Sequence, residues 1–247
     1  MVMRSRKGRI LFVILQLMLY IAFLFLDFTH RNVTISSYIK FMVIIGCFCY
    51  ALFVKESADK SILSIMKAAM FFTVISDLLI LILDVYFYGV LTFIIVQQLY
   101  GLRISLEKYQ DRGDAGNKRI CNSFIRRILL QLVISFLILS ITTLAGVKPE
   151  PLMVVSIFYF INIVINTLTA IKVAVSYPAS KNVRIFALGM LLFLLCDINV
   201  GLFNITGFIE MPWSMYSVLY EFSSILMWVF YAPAQVLLAL SIQNAKK

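Results

Sequence analysis

The sequence predicts an all-α, polytopic membrane protein with eight transmembrane helices and both termini on the cytoplasmic side. Three observations lead there. Hydrophobic residues make up 62% of the 247 residues and charged residues only 14%, against about 25% charged in an ordinary soluble domain. The apolar residues fall into eight runs close to the ~20 residues that a spanning helix needs. Basic residues gather at alternate ends of those runs, as the positive-inside rule requires.

The elements follow in order, within one integral membrane domain. The first span, 10–26, lies in MVMRSRKGRILFVILQLMLYIAFLFLDF and follows Arg4, Arg6, Lys7 and Arg9. It imitates a signal peptide, but its apolar stretch is long for a signal core and no small-x-small cleavage site follows, so it reads as a retained span. The second, 38–54, has Lys40 near its outer start. The third and fourth, 61–83 and 86–104, share a short junction at Asp84 and Val85. An inner polar loop, 105–123, carries Gly113 and Gly116 and reads as a flexible linker between two sets of four spans. The remaining spans are 124–145, 151–173, 185–205 and 216–240, the last interrupted by Pro233.

Charge orients this arrangement. With the N-terminus inside, the outer segments hold only Arg31, Lys40 and Lys148. The inner side holds the N-terminal cluster, Lys55, Lys60, the basic stretch from Arg103 to Arg127, Lys181, Arg184, Lys246 and Lys247. An odd number of spans would place Lys246 and Lys247 outside. The net charge of +10 is thereby explained by the membrane, and without a soluble basic face it does not point to nucleic acid. The RGD at 112–114 falls inside, and the sequons at Asn32 and Asn204 lie against the membrane.

Several chemistries are disfavoured. The only histidine, His30, lies in an outer loop, and no HExxH, GxSxG or phosphate-cradling glycine loop occurs. Cys47, Cys49, Cys121 and Cys196 lie in or at the edge of apolar runs. Cys47 and Cys49 are two apart, so a helix turns them to nearly opposite sides. Neither a disulfide nor a metal site follows, and no cofactor is expected.

What remains is carboxylates in hydrocarbon. Asp77 sits in VISDLLILILD and Asp197 in LLFLLCDINVGLFNI. A carboxylate there costs on the order of 3 kcal/mol on insertion scales, and intramembrane ionisable residues are functional candidates for that reason. At 1.5 Å per residue, Asp77 lies roughly 24 Å and Asp197 roughly 18 Å above the inner ends of their spans, at similar depths. Other polar groups accompany them. Gln97 and Tyr100 share a face of the fourth span, and Tyr231 and Gln235 share one of the eighth. Asp197, Gly201 and Asn204 follow i, i+4, i+7 spacing on the seventh. Glu221 is turned about 40° from Gln235 on the helical wheel. Such groups also serve simply to tie helices together.

The segments SDLL at 76–79, GVLTFIIVQQLY at 89–100, GMLLFLLCD at 189–197 and YAPAQ at 231–235 resemble, in order, motifs of the YhhN-like family of lysoplasmalogenases, which is eight-spanning. Three positions depart from the family's pattern: Gln97 stands for its histidine, Lys40-Phe41 for its Lys-Pro, and Cys196 for the serine before the second aspartate. The resemblance implies hydrolysis of the vinyl ether bond of lysoplasmalogens to a fatty aldehyde and a glycerophospho-ethanolamine or -choline. It makes Asp77 and Asp197 catalytic, with no metal needed. Lys40, from its place at the outer interface, and the polar residues Gln97, Tyr100, Glu221, Tyr231 and Gln235 are the candidate substrate-binding residues. The implied partners are a lysophospholipid and the bilayer of the cell membrane. A proton-coupled transporter, or a sensor or scaffold without chemistry on the same fold, is the alternative that paired intramembrane aspartates leave open.

Overall fold

The computed structural model describes residues 6–54, 60–109, 114–146, 148–204 and 212–242. Among them there is no strand, and eight helices are long and apolar enough to cross a membrane. They are α1 (Arg6–Phe28), α2 (Val33–Phe53), α3 (Lys60–Asp77), α4 (Tyr86–Tyr109), α5 (Asp114–Leu144), α6 (Pro151–Ser176), α7 (Lys181–Phe203) and α8 (Trp213–Leu240). In a bilayer every backbone N–H and C=O must be satisfied within the segment, which leaves the helix as the local solution for each apolar run. Arg4, Lys55, Gly113, most of the RGD segment, Ile205 with the rest of the Asn204 sequon, and Lys246 and Lys247 lie outside the described residues.

The stretch 105–123, expected to be a flexible linker, is helical on both sides. The fourth helix runs on to Tyr109, the fifth starts at Asp114, and Gly116 lies in its first turn. Leu106, Glu107 and Lys108 on one side and Ala115, Lys118 and Arg119 on the other are good helix formers. A helix does not stop where hydrocarbon stops when its next residues favour it. Similarly, α2 begins at Val33, because Asn32 in the left-handed region (φ 49°) accepts the Ile35 N–H at 3.3 Å and caps the first turn. Lys40 therefore stands two turns inside α2.

The third helix does not end regularly. Past Asp77 the chain widens into a π turn, Leu78–Ile82, with Leu83 N–H donating to the Leu78 carbonyl at 3.0 Å. Such turns gather at functional sites. The following helix crosses it closely at Gly89, where a Cβ would clash with the Ile80 side chain. Ser76 donates to the Gly89 carbonyl and ties the two together.

Helix contacts trace a closed circuit, α1–α2–α3–α4–α6–α7–α8 and back to α1, with α5 outside it against α4 and α6. The two sets of four spans are thus not equivalent. Most of the outward residues of α5, among them Leu129, Leu130, Val133, Phe136 and Leu137, are exposed, as suits a lipid-facing helix. Inside the circuit Tyr50, Met66, Met70, Val96, Tyr100, Phe186, Met190, Phe193 and Leu238 are fully enclosed. That circuit brings one face each of α2, α3, α4, α6, α7 and α8 to a shared interior.

Candidate functional site

The two intramembrane carboxylates are each held by a tyrosine from another helix. Asp77 at the end of regular α3 is buried and accepts the Tyr231 hydroxyl of α8 at 2.7 Å. Asp197 of α7, half-buried, accepts the Tyr159 hydroxyl of α6 at 2.7 Å. Both tyrosines pack on one ring, Phe93 of α4, at 5.9 Å for Tyr159 and 6.4 Å for Tyr231. Phe193 completes the cluster against Phe93 at 5.9 Å and Tyr231 at 5.4 Å. Cys196 lies within electrostatic range of both carboxylates. The two Asp–Tyr pairs therefore border one aromatic interior, in which a charge is poorly screened.

A cation stands one aromatic layer away. Lys40 bridges to Asp27 at the end of α1, at 2.8 Å, and Ser36 donates to the same carboxylate. The Lys40 ammonium lies over Trp228 at 4.9 Å and Phe23 at 5.7 Å from the ring centroids. Trp228 in turn meets Tyr231 edge-on at 5.3 Å. Lys40, Trp228, Tyr231 and Asp77 thus form a line through the packed interior.

Gln97 is fixed by an amide lattice. Asn166 Nδ2 of α6 donates to the Gln97 carbonyl at 2.7 Å and to its Oε1 at 3.0 Å. With Oε1 used as acceptor, Nε2 is left as the free donor, and among the described residues it has no hydrogen-bond partner. The Gln97 side chain lies within interaction range of the Tyr159 hydroxyl. Behind it the lattice continues. Gln131 Nε2 donates to Asn162 Oδ1 at 2.8 Å, and Gln98 Nε2 to Gln131 Oε1 at 3.0 Å. Arg127 of α5 donates to Asn166 Oδ1 at 3.1 Å and Gln98 Oε1 at 2.9 Å. Its guanidinium rests on bare backbone, since a Cβ on Gly101 would overlap it.

Tyr100 and Gln235 are enclosed, and among the described residues the Tyr100 hydroxyl and both amide atoms of Gln235 have no hydrogen-bond partner. Tyr100 packs edge-on to Phe186 at 5.7 Å and lies within reach of Thr73, one turn from Asp77. Gln235 lies one turn from Tyr231 on α8.

Glu221 is not brought to this interior; it is exposed on α8. The wheel angle to Gln235 specifies direction but not depth, and fourteen residues at 1.5 Å each put the two about 21 Å apart along the axis. Asp27, Tyr159, Asn166 and Arg127 are not expected from the sequence and belong to the site or its support. For α6 a signal exists: Tyr159, Asn162 and Asn166 stand at i, i+3 and i+7, a polar stripe on an otherwise apolar helix. For Asp27 the signal is an opposite charge facing Lys40 at the same end of the neighbouring span. Among the described residues no three His, Cys, Asp or Glu side chains come together as metal ligands do.

Fold and site define a multi-pass α-helical membrane protein with two intramembrane, tyrosine-held carboxylates. Compared with known proteins, the chain matches no family model, no curated protein and no solved structure.

Proposed function

We propose that the chain is a membrane-embedded hydrolase of the lysoplasmalogenase type, related to the YhhN-like family, with Asp77 and Asp197 as its acid–base pair. The observation that carries this reading is the meeting of two Asp–Tyr pairs on the single Phe93 ring. Cleaving a vinyl ether needs a proton on carbon, stabilisation of the resulting oxocarbenium ion, and a water. Two carboxyl groups in a poorly screened interior can supply the proton, stabilise the cation and activate the water.

In this reading one aspartic acid protonates the β-carbon of the vinyl ether. The other, ionised, faces the cation and takes a proton from the attacking water. The new C–O bond makes a hemiacetal, whose collapse breaks the ether C–O bond and releases the aldehyde and the glycerol alcohol. Tyr231 and Tyr159 keep each carboxylate in place. Gln97 Nε2 offers a hydrogen bond beside Tyr159 but cannot move a proton as an imidazole does. Lys40 meets the lipid phosphate, while Asp27 and the Trp228 face suit the cationic end of an ethanolamine or choline headgroup. In this reading both termini are cytoplasmic and the Lys40 end faces outside the cell membrane, an orientation that the excess of basic residues at the opposite helix ends supports.

The test is aldehyde release from a vinyl-ether lysophospholipid by the purified protein in detergent, beside Asp77→Asn and Asp197→Asn. Release by the wild-type chain, lost in both variants, is the expected result. A folded wild-type chain that releases no aldehyde from either headgroup form would overturn the hydrolase and turn attention to proton-coupled transport.

A further inference from the structure

Where α4 ends and α5 begins, a second polar feature faces outward. Arg119, Asn122, Ser123 and Arg126 stand at i, i+3, i+4 and i+7 of α5, which is one face of a helix. With Tyr109, the last residue of α4, they line a cleft of about 200 Å³, more than ten times the ~15 Å³ that one water needs. Both arginines are exposed. The two guanidinium forks, with the Asn122 amide between them, make a set of donors suited to phosphate oxygens, and the Ser123 hydroxyl and Tyr109 phenol interact with each other beside them.

The surface beyond the cleft indicates what carries that phosphate. Leu129, Leu130 and Val133 follow Arg126 at i+3, i+4 and i+7, and all three are exposed. The face that opens with two arginines therefore continues directly as hydrocarbon-facing surface. A free anion would use only the cleft, whereas a lipid uses both. We propose that this face of α5 binds an anionic phospholipid, its phosphate between Arg119 and Arg126 and its acyl chains along Leu129, Leu130 and Val133. Basic pockets at the membrane boundary between helices recognise such headgroups through charge and hydrogen bonds. The site is separate from the Asp77–Asp197 interior and stands whether or not the chain hydrolyses lipid.

The experiment is titration of the full chain in neutral detergent with dioctanoyl phosphatidic acid, dioctanoyl phosphatidylcholine and inorganic phosphate. Phosphatidic acid should bind at least about tenfold more tightly than the other two, and the paired change Arg119→Gln with Arg126→Gln should weaken it by about tenfold or more. The pair Lys181→Gln with Arg184→Gln, at the same end of the bundle but on α7, should leave it unchanged. Arg119→Lys with Arg126→Lys, which keeps the charge on a folded surface, should retain most of the binding. Equal losses in the α5 and α7 glutamine pairs would reduce the effect to diffuse charge and overturn the site. Inorganic phosphate binding as tightly as the lipid would overturn the lipid assignment, and a wild-type chain indifferent to phosphatidic acid would overturn both.

Discussion

Asp27 and Lys40 show how one residue's role depends on another helix. The Lys40 ammonium sits among Phe23, Trp228 and the Asp27 carboxylate, with side chains only 11% and 14% exposed for Lys40 and Asp27. Removing one partner of such a pair strands the other charge. Asp27→Ala should lower stability by about 2 kcal/mol, and adding Lys40→Met should recover most of it; thermal unfolding of the three variants in one detergent reads both effects. Tyr231 makes a different point. Its ring packs on Phe93, Phe193 and Trp228, so Tyr231→Phe removes only the hydroxyl that holds Asp77. On the hydrolase reading this should lower kcat by about tenfold to a hundredfold through misplaced geometry. Tyr50→Phe, which removes a buried hydroxyl stacked on Phe12 in another part of the interior, should leave kcat unchanged. Equal rates for all three proteins would show that the phenol–carboxylate bond has no part in turnover.

At the scale of elements, α4 is the helix on which the others are registered. Its Gly89 admits the π turn that follows Asp77, and its Gly101 admits the Arg127 guanidinium. These are close approaches of side chain to backbone, and each joins one neighbour to α4. A methyl at Gly101 would displace Arg127 from Asn166 and Gln98, two acceptors that α5 shares with α6 and α4. Intramembrane hydrogen bonds average ~0.6 kcal/mol each, and stranded buried groups add to the loss. Gly101→Ala should therefore cost about 2 kcal/mol in thermal or denaturant unfolding. Combining it with Arg127→Ala should add little further, since the clash then has no partner. Full additivity of the two changes would mean that Gly101 serves some contact other than the guanidinium.

For the whole molecule, the closed circuit of seven helices explains how residues far apart in sequence meet. It brings α8 back beside α1 and α2, so that Tyr231 reaches Asp77 and Trp228 reaches Lys40. The fifth helix stays outside, joined through Arg127 and Gln131. The charge pattern makes a prediction about orientation that can be read in intact cells. With Cys49 and Cys121 replaced, a cysteine at Lys148 should react with an impermeant maleimide applied outside, and one at Ser180 only after permeabilisation. Labelling of Ser180→Cys first would invert the proposed topology.

The sequence by itself determined the helical class, the number of helices long and apolar enough to span, and the two carboxylates that stand out within them. The reason is local: in hydrocarbon, backbone satisfaction leaves an apolar run one regular structure, and a lone aspartate contrasts with its neighbours wherever the helix packs. Helix ends were less legible, because polar helix formers such as those around Glu107 and Lys118 extend a helix past the membrane. Only the tertiary structure decided the partners. Tyr159 for Asp197, Asp27 for Lys40 and Asn166 for Gln97 are each a single contact between helices, and helix periodicity assigns a residue to a face but not to a neighbour or a depth. Glu221 is the instructive case, close to Gln235 in angle and far from it along the axis. The exclusion of α5 from the circuit belongs to the same category, because which helices adjoin is set by side-chain packing across the bundle, which no single run of sequence contains.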